Sequence, residues 1–159
     1  MSDHLVGISD MHISDRPDET IVTYSLGSCI GITAFDPVRK IGGMIHYMLP
    51  SSTIAPDKAR VKPAMFADTG VPLLLNKLLS MGAAKGRLVI KVAGGAQLMD
   101  DKNVFNIGER NIVMLRKILW ANSLLIKGQH VGENFARTLR LEIGTGRVTV
   151  KCIHGEIEL

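Results

Sequence analysis

The sequence is short of aromatic rings, of cysteine and of long apolar runs, and each shortage closes off a class of protein. Aromatic residues make up only 4% of the 159 residues, with a single Trp, so Leu, Ile, Val and Met must fill the core. Two cysteines are too few for a disulfide scaffold. No apolar run approaches the roughly 18 residues that a membrane helix needs. The first twenty residues also lack the charged-then-apolar layout of a signal peptide. The expected setting is therefore the reducing cytoplasm, with Cys29 and Cys152 as free thiols. Internal repeats and low-complexity segments are missing too, which removes solenoids and disordered tails from consideration. Charge of one sign does not dominate. The net charge of +4 comes from basic residues scattered along the chain, so a nucleic-acid footprint has little support, and a mild attraction to an acidic protein fits as well.

What is present suits one domain spanning 1–159, long enough to bury a core without disulfides or metal. Apolar residues are 46% and charged residues 21%, an ordinary globular balance. Eight Met residues suit adaptable packing or a forgiving contact surface.

Periodicity divides the chain into strands and helices. Residues 1–19 are polar and read as a loose lead-in with at most one short strand. IVTYSL (21–26), IGITAF (30–35) and IGGMIHYML (41–49) read as strands, the last two joined by the turn DPVRK (36–40). Gly42 and Gly43 permit a bulge. Residues 50–70 contain three prolines and read as a long loop. Val71, Leu74, Leu75, Leu78 and Leu79 share one helical face, with a start near Asp68 or Thr69 because Pro72 belongs in a first turn, and a stop at Met81-Gly82. RLVIKVAGGA (87–96) is a strand running into a double glycine. Asn106 with Glu109 suggests a capping box for a helix through Ile112, Leu115 and Leu119. LLIKGQHV (124–131) is a strand, and 137–153 is a hairpin whose Leu139, Leu141, Ile143, Val148, Val150 and Cys152 point inward. Roughly eight strands interrupted by two substantial helices predict an α+β sandwich, mostly antiparallel, flanked by two or three helices.

The two cysteines differ. Cys152 is in phase with Val148 and Val150 and reads as a small core residue. Cys29 lies in LGSCIG, between Gly27 and Gly31. That spacing permits close backbone approach to a ligand. A nucleophile elbow would need a helix after the cysteine, and here a strand follows. If Phe35 pairs with Lys40 across the turn, paired positions place Cys29 opposite His46 on one face. A thiol is only a few per cent thiolate at neutral pH, and a neighbouring imidazolium that lowers its pKa to roughly 6 would stabilise the thiolate by about 3.4 kcal/mol. Backbone N–H groups around Gly27–Cys29 could then hold an oxyanion. A cysteine in a Gly/Ser-rich strand end is also an ordinary packing residue, so both readings stay open on residue types alone.

Six blocks taken together resemble the CheD family: TxxLGSC (23–29), DP (36–37), GGMIHYMLP (42–50), ADT (67–69), KVAGGA (91–96) and NIGERN (106–111). The resemblance runs in order from about residue 20 to about residue 150. It implies a bacterial chemoreceptor glutamine deamidase with a fold similar to that of deamidating toxins. The implied reaction is hydrolysis of receptor glutamine amides to glutamate and ammonia, in some members also of glutamyl methyl esters. It implies a triad of Cys29 as nucleophile, His46 as general base and acid, and Thr23 as the residue orienting His46, through its hydroxyl or its backbone. Gly27 and Ser28 are the expected oxyanion donors. No cofactor is implied, and no Cys/His cluster has metal-ligand spacing. The implied partners are methyl-accepting chemotaxis receptors and, for some members, a CheC-type phosphatase. A monomer is the expected state, and the 50–70 loop is a candidate docking rim for a helical substrate.

Other residues carry two readings each. Gly94 and Gly95 line the pocket or simply make a turn. Gln97 contacts a substrate amide or is solvated, and Phe105 walls the substrate side or packs in the core. His4, His12, His130 and His154 have no evident partners. Two rival functions remain: an adaptor that binds a phosphatase or receptor without turnover, and a small-molecule cysteine esterase with a deep pocket.

Overall fold

The alternating apolar residues are shared between two five-stranded sheets in a computed structural model, which describes residues 2–98 and 106–159. One sheet has the order β1 (Ser2–Leu5), β3 (Glu19–Leu26), β8 (Arg137–Glu142), β9 (Val148–Cys152) and β10 (Gly155–Glu158). The other runs β2 (Asp10–Ser14), β5 (Ile41–Tyr47), β4 (Ile30–Asp36), β6 (Val89–Gly94) and β7 (Ile126–Val131). The pairs β1–β3 and β6–β7 are parallel; the other strand pairs are antiparallel.

Ile21, Phe35, Met44, Leu139, Leu141 and Val150 interlock between the sheets. The outer face of the second sheet, with Ile30, Ile32 and Ile45, is covered by α2 (Ala67–Ser80) and α3 (Ile107–Ala121). The result is the expected α+β sandwich with helices on one face. β4 and β5 form its middle layer and are buried along their whole length. Each fully buried Ile there contributes roughly 1.5–3 kcal/mol, so the hairpin is firmly held. No helix among the described residues is long and apolar enough to cross a membrane.

The structure departs from the sequence reading in several places. Residues 2–19 hold two strands, not one, each on the edge of a different sheet. The 50–70 segment is not a loop: a 3-10 turn (Ser52–Ile54), α1 (Pro56–Val61) and a second 3-10 turn (Pro63–Met65) lead into α2. Pro56 and Pro63 open helical turns, where a missing N–H costs nothing. Asp68 then ties the segment down by accepting bonds from the Ser52 backbone N–H and hydroxyl. Pro72 falls in the second turn of α2, which begins at Ala67. Asn106 precedes α3 in a left-handed conformation (φ +48°), and its side chain makes no cap, so the capping box does not form.

The β4–β5 register also differs. Asp36 faces Ile41, and His46 faces Gly31 rather than Cys29. The strands extend one residue further because Asp36 closes the turn with its own carboxylate. That carboxylate accepts from the N–H groups of Val38, Arg39 and Ala84, and from Arg87 at 2.8 Å. The hairpin runs without the bulge that Gly42 and Gly43 permit.

Candidate active site

The shift in register is by two residues, so Cys29 and His46 keep the same face. Side chains alternate with period two along a strand, and Gly31, two places after Cys29, lies opposite His46. Cys29, the residue just before β4, packs against the inter-sheet core, on the side of the second sheet that carries His46. Gly31 has to be bare: a Cβ there would press on Leu139 and Leu26.

Thr23 reaches His46 from the other sheet. Its hydroxyl donates to the Val6 carbonyl at 2.7 Å. The same oxygen lies 2.7 Å from His46 Nδ1. A carbonyl can only accept, so the single hydroxyl proton is committed to Val6, and Nδ1 must carry the proton of the second bond. His46 is therefore the Nδ1–H tautomer, with a bare Nε2. That Nε2 is buried and has no protein partner among the described residues. The Thr23 hydroxyl, not its backbone carbonyl, is the group that meets His46. Immediately after it, the β3–β8 pairing slips and Ser25 turns to φ +60°. Bulges of this kind re-aim side chains at strand ends.

The electrostatics differ from the expected ion pair. Burial lowers the His46 pKa to about 4. Burial pushes the Cys29 thiol up, against a smaller opposing pull from its own backbone N–H. The resting pair is neutral thiol and neutral imidazole, because each charged form would lose hydration.

The turn that carries Cys29 is held by its carbonyls. Gly27 O accepts from Ala96 N–H and Cys29 O from Gly95 N–H, each at 2.9 Å. Ser28 O accepts from Asn111 Nδ2 at 2.9 Å. With the carbonyls engaged inward, the Cys29 backbone N–H lies on the sulfur side. Gly94 and Gly95 are thus buttresses as well as a turn. Gly94 (φ +115°) sits so close that a Cβ would collide with the Cys29 carbonyl. Gln97 is half-buried beside a shallow depression of about 260 Å³, also lined by Glu109, Val113 and Glu133. Phe105 lies outside the described residues.

Asn111 was not singled out in the sequence. It is fully buried, and its Nδ2 bridges Ser28 O and Met48 O, at 2.9 Å each. Tyr47 donates to the Asn111 carbonyl at 2.7 Å. One residue of α3 thereby fixes both strands that carry Cys29 and His46. Its signal was available: Asn111 shares a helical face with Leu115 and Leu119, and a polar residue on a buried face needs partners. Arg137, also buried, donates to His130 Nδ1 (2.7 Å) and to the Gly132 carbonyl (3.0 Å) behind Gly94.

Several histidines do have partners, contrary to the sequence reading. His130 accepts from Arg137, His154 sits edge-on to Phe135, and His12 pairs with Glu19 while stacking on His4. Cys152 is half-buried at the end of β9, beside a surface depression with Ser25 and Arg137, rather than deep in the core.

Comparison with known proteins places this geometry in a family. The family model described as CheD chemotactic sensory transduction matches residues 48–152, beginning just after His46. Curated relatives extend over the rest. A protein of Syntrophus aciditrophicus named as a probable chemoreceptor glutamine deamidase is 50% identical over 157 residues, covering 99% of this chain and 98% of its own. One of Solibacter usitatus with the same description is 49% identical, covering 93% of this chain and 88% of its own. A third, of Syntrophotalea carbinolica, is 43% identical, covering 96% and 95%. With a family model matching most of it and relatives of this identity along nearly its full length, the chain belongs to the CheD family.

Proposed function

We propose that this chain, acting as a single domain, hydrolyses the side-chain amide of glutamine residues on chemotaxis receptors. Cys29 is the nucleophile, His46 the proton carrier and Thr23 the residue that positions it. The observation that carries the reading is the bare, buried Nε2 of His46, with Nδ1–H committed to Thr23. A histidine held in that tautomer is a base with no partner until a proton source arrives.

The neutral resting pair dictates the order of events. His46 Nε2 takes the thiol proton as Cys29 Sγ attacks the amide carbon, so the thiolate exists only as it bonds. Backbone N–H groups of the 27–29 turn, with Gly27 and Ser28 the sequence candidates, receive the oxyanion. Nε2–H then protonates the departing nitrogen, and the C–N bond breaks to give ammonia and a thioester. Water, deprotonated by Nε2, attacks the thioester carbon. The C–S bond breaks, the sulfur regains its proton from Nε2, and glutamate is released. A glutamyl methyl ester would follow the same path with methanol leaving. The names of the relatives support the receptor as substrate.

The test is ammonia release from a receptor cytoplasmic fragment bearing its glutamines. Release with the wild-type chain and none with Cys29→Ala supports the reading. Receptor or phosphatase binding without ammonia from the wild-type chain would make it an adaptor instead.

A further inference from the structure

Away from Cys29, three potential metal ligands meet where the edges of the two sheets approach each other. His4 lies on β1, His12 on β2 and Glu19 at the start of β3. One ligand atom from each falls within 4.8 Å of the other two. The His4 and His12 rings stack with centroids 3.5 Å apart, and His12 Nε2 lies 2.7 Å from Glu19 Oε1. Glu19 is buried and both histidines are half-buried, so the group is desolvated on one side and open on the other.

We propose that His4, His12 and Glu19 form a binding site for a divalent late transition metal of the Zn²⁺ type, with solvent completing the coordination. Two imidazoles and one carboxylate are a ligand set that Zn²⁺ accepts. Tetrahedral ligands about 2.0–2.1 Å from a metal stand roughly 3.3 Å apart. Imidazole lone pairs lie in the ring plane, so the two rings must swing out of their stack for their nitrogens to converge with the Glu19 carboxylate on one metal. The cation takes the place of the hydrogen that bridges His12 Nε2 and Glu19 Oε1.

The site's position gives it a consequence for His46. The metal would join β1, β2 and β3, and the link between β1 and β2 contains the groups that hold the catalytic pair. Val6 receives the Thr23 hydroxyl, and Ser9 N–H donates to the His46 carbonyl at 2.8 Å. Binding would stiffen the backbone that orients Thr23 and His46. The inference does not depend on the proposed reaction.

The experiment is calorimetric titration of the full chain, in a Cys29→Ser, Cys152→Ser background that removes thiol ligands, with ZnCl₂ and with MgCl₂ as the hard-cation control. One equivalent of Zn²⁺ should bind and Mg²⁺ should not. His12→Ala and His4→Phe, which keeps a stacking ring, should each weaken Zn²⁺ by at least about tenfold, and His154→Ala should leave it unchanged. Zn²⁺ should also raise the melting temperature of the background protein but not of His4→Phe. Failure of the background protein to bind one equivalent, or binding in His4→Phe or His12→Ala as tight as in the background protein, would overturn the proposal.

Discussion

Replacing Thr23 by Val removes one oxygen and keeps the shape of the side chain, so it isolates what the hydroxyl does. In the wild type that oxygen closes two 2.7 Å bonds, to the Val6 carbonyl and from His46 Nδ1, in a region with no solvent access. The substitution strands both groups. Leaving a buried polar group unpaired costs about 1–3 kcal/mol each, so the two together cost about 2–6 kcal/mol, equivalent to roughly 4–24 °C in melting temperature for a chain of this size. His46 also loses the acceptor that holds the proton on Nδ1. If the lost orientation is worth one to two ordinary hydrogen bonds, at about 1 kcal/mol each, kcat falls by about 5- to 30-fold with KM unchanged. Thr23→Ser restores the oxygen without the methyl group and should return kcat close to wild type while staying slightly less stable. The assay is ammonia release at saturating receptor fragment, beside a thermal melt. A Thr23→Val enzyme with wild-type kcat, or a Thr23→Ser enzyme as slow as Thr23→Val, would refute the orienting role.

Three further expectations follow from the same geometry. Because burial pushes the Cys29 thiol up, alkylation by iodoacetamide should be slow at pH 7 and accelerate only above the ordinary thiol range of about 8.5; a fast rate that stays flat between about pH 5 and about pH 8, as a thiolate–imidazolium pair gives, would contradict the neutral pair. His46 is lowered to about 4 and works as a neutral base, so kcat should hold steady through mildly acidic pH and fall only as pH drops through about 4, whereas an acid limb near the ordinary histidine value would count against it. Asn111→Ala strands the Ser28 and Met48 carbonyls and should cost about 2–6 kcal/mol in a denaturant titration, with a loss of ammonia release at temperatures where the protein is still folded; full activity would mean that the Cys29 turn holds itself.

The sandwich was legible in the sequence because its strongest signals are periodic. Leu139, Leu141, Val148 and Val150 alternate cleanly, and the faces of α2 and α3 repeat at helical spacing. The direct pairing of Cys29 with His46 does not form, yet the register error leaves both on the same side of the sheet for a physical reason. The strands pair as Asp36 with Ile41, not Phe35 with Lys40, and a displacement of two preserves the face, where a displacement of one would have reversed it. What misled the reading was the Asp36 carboxylate, held well below the usual carboxylate range by Arg87, whose bonds across the chain no local pattern announces. The prolines of 50–70 signalled breaks, but two of them begin helical turns. His4, His12 and Glu19 could not be grouped from spacing, since they sit on three strands in two sheets and meet only through the topology.

The central claim is that Cys29 attacks receptor glutamine and that water releases the product. The most direct measurement is the intact mass of a receptor cytoplasmic fragment after incubation with the wild-type chain or Cys29→Ala, in ordinary and in ¹⁸O-labelled water. The account predicts a gain of about 1 Da per site in ordinary water and about 3 Da in labelled water with the wild type, and none with Cys29→Ala, because water supplies the oxygen that resolves the thioester. An unchanged mass with the wild type, or an equal gain with Cys29→Ala, would contradict it.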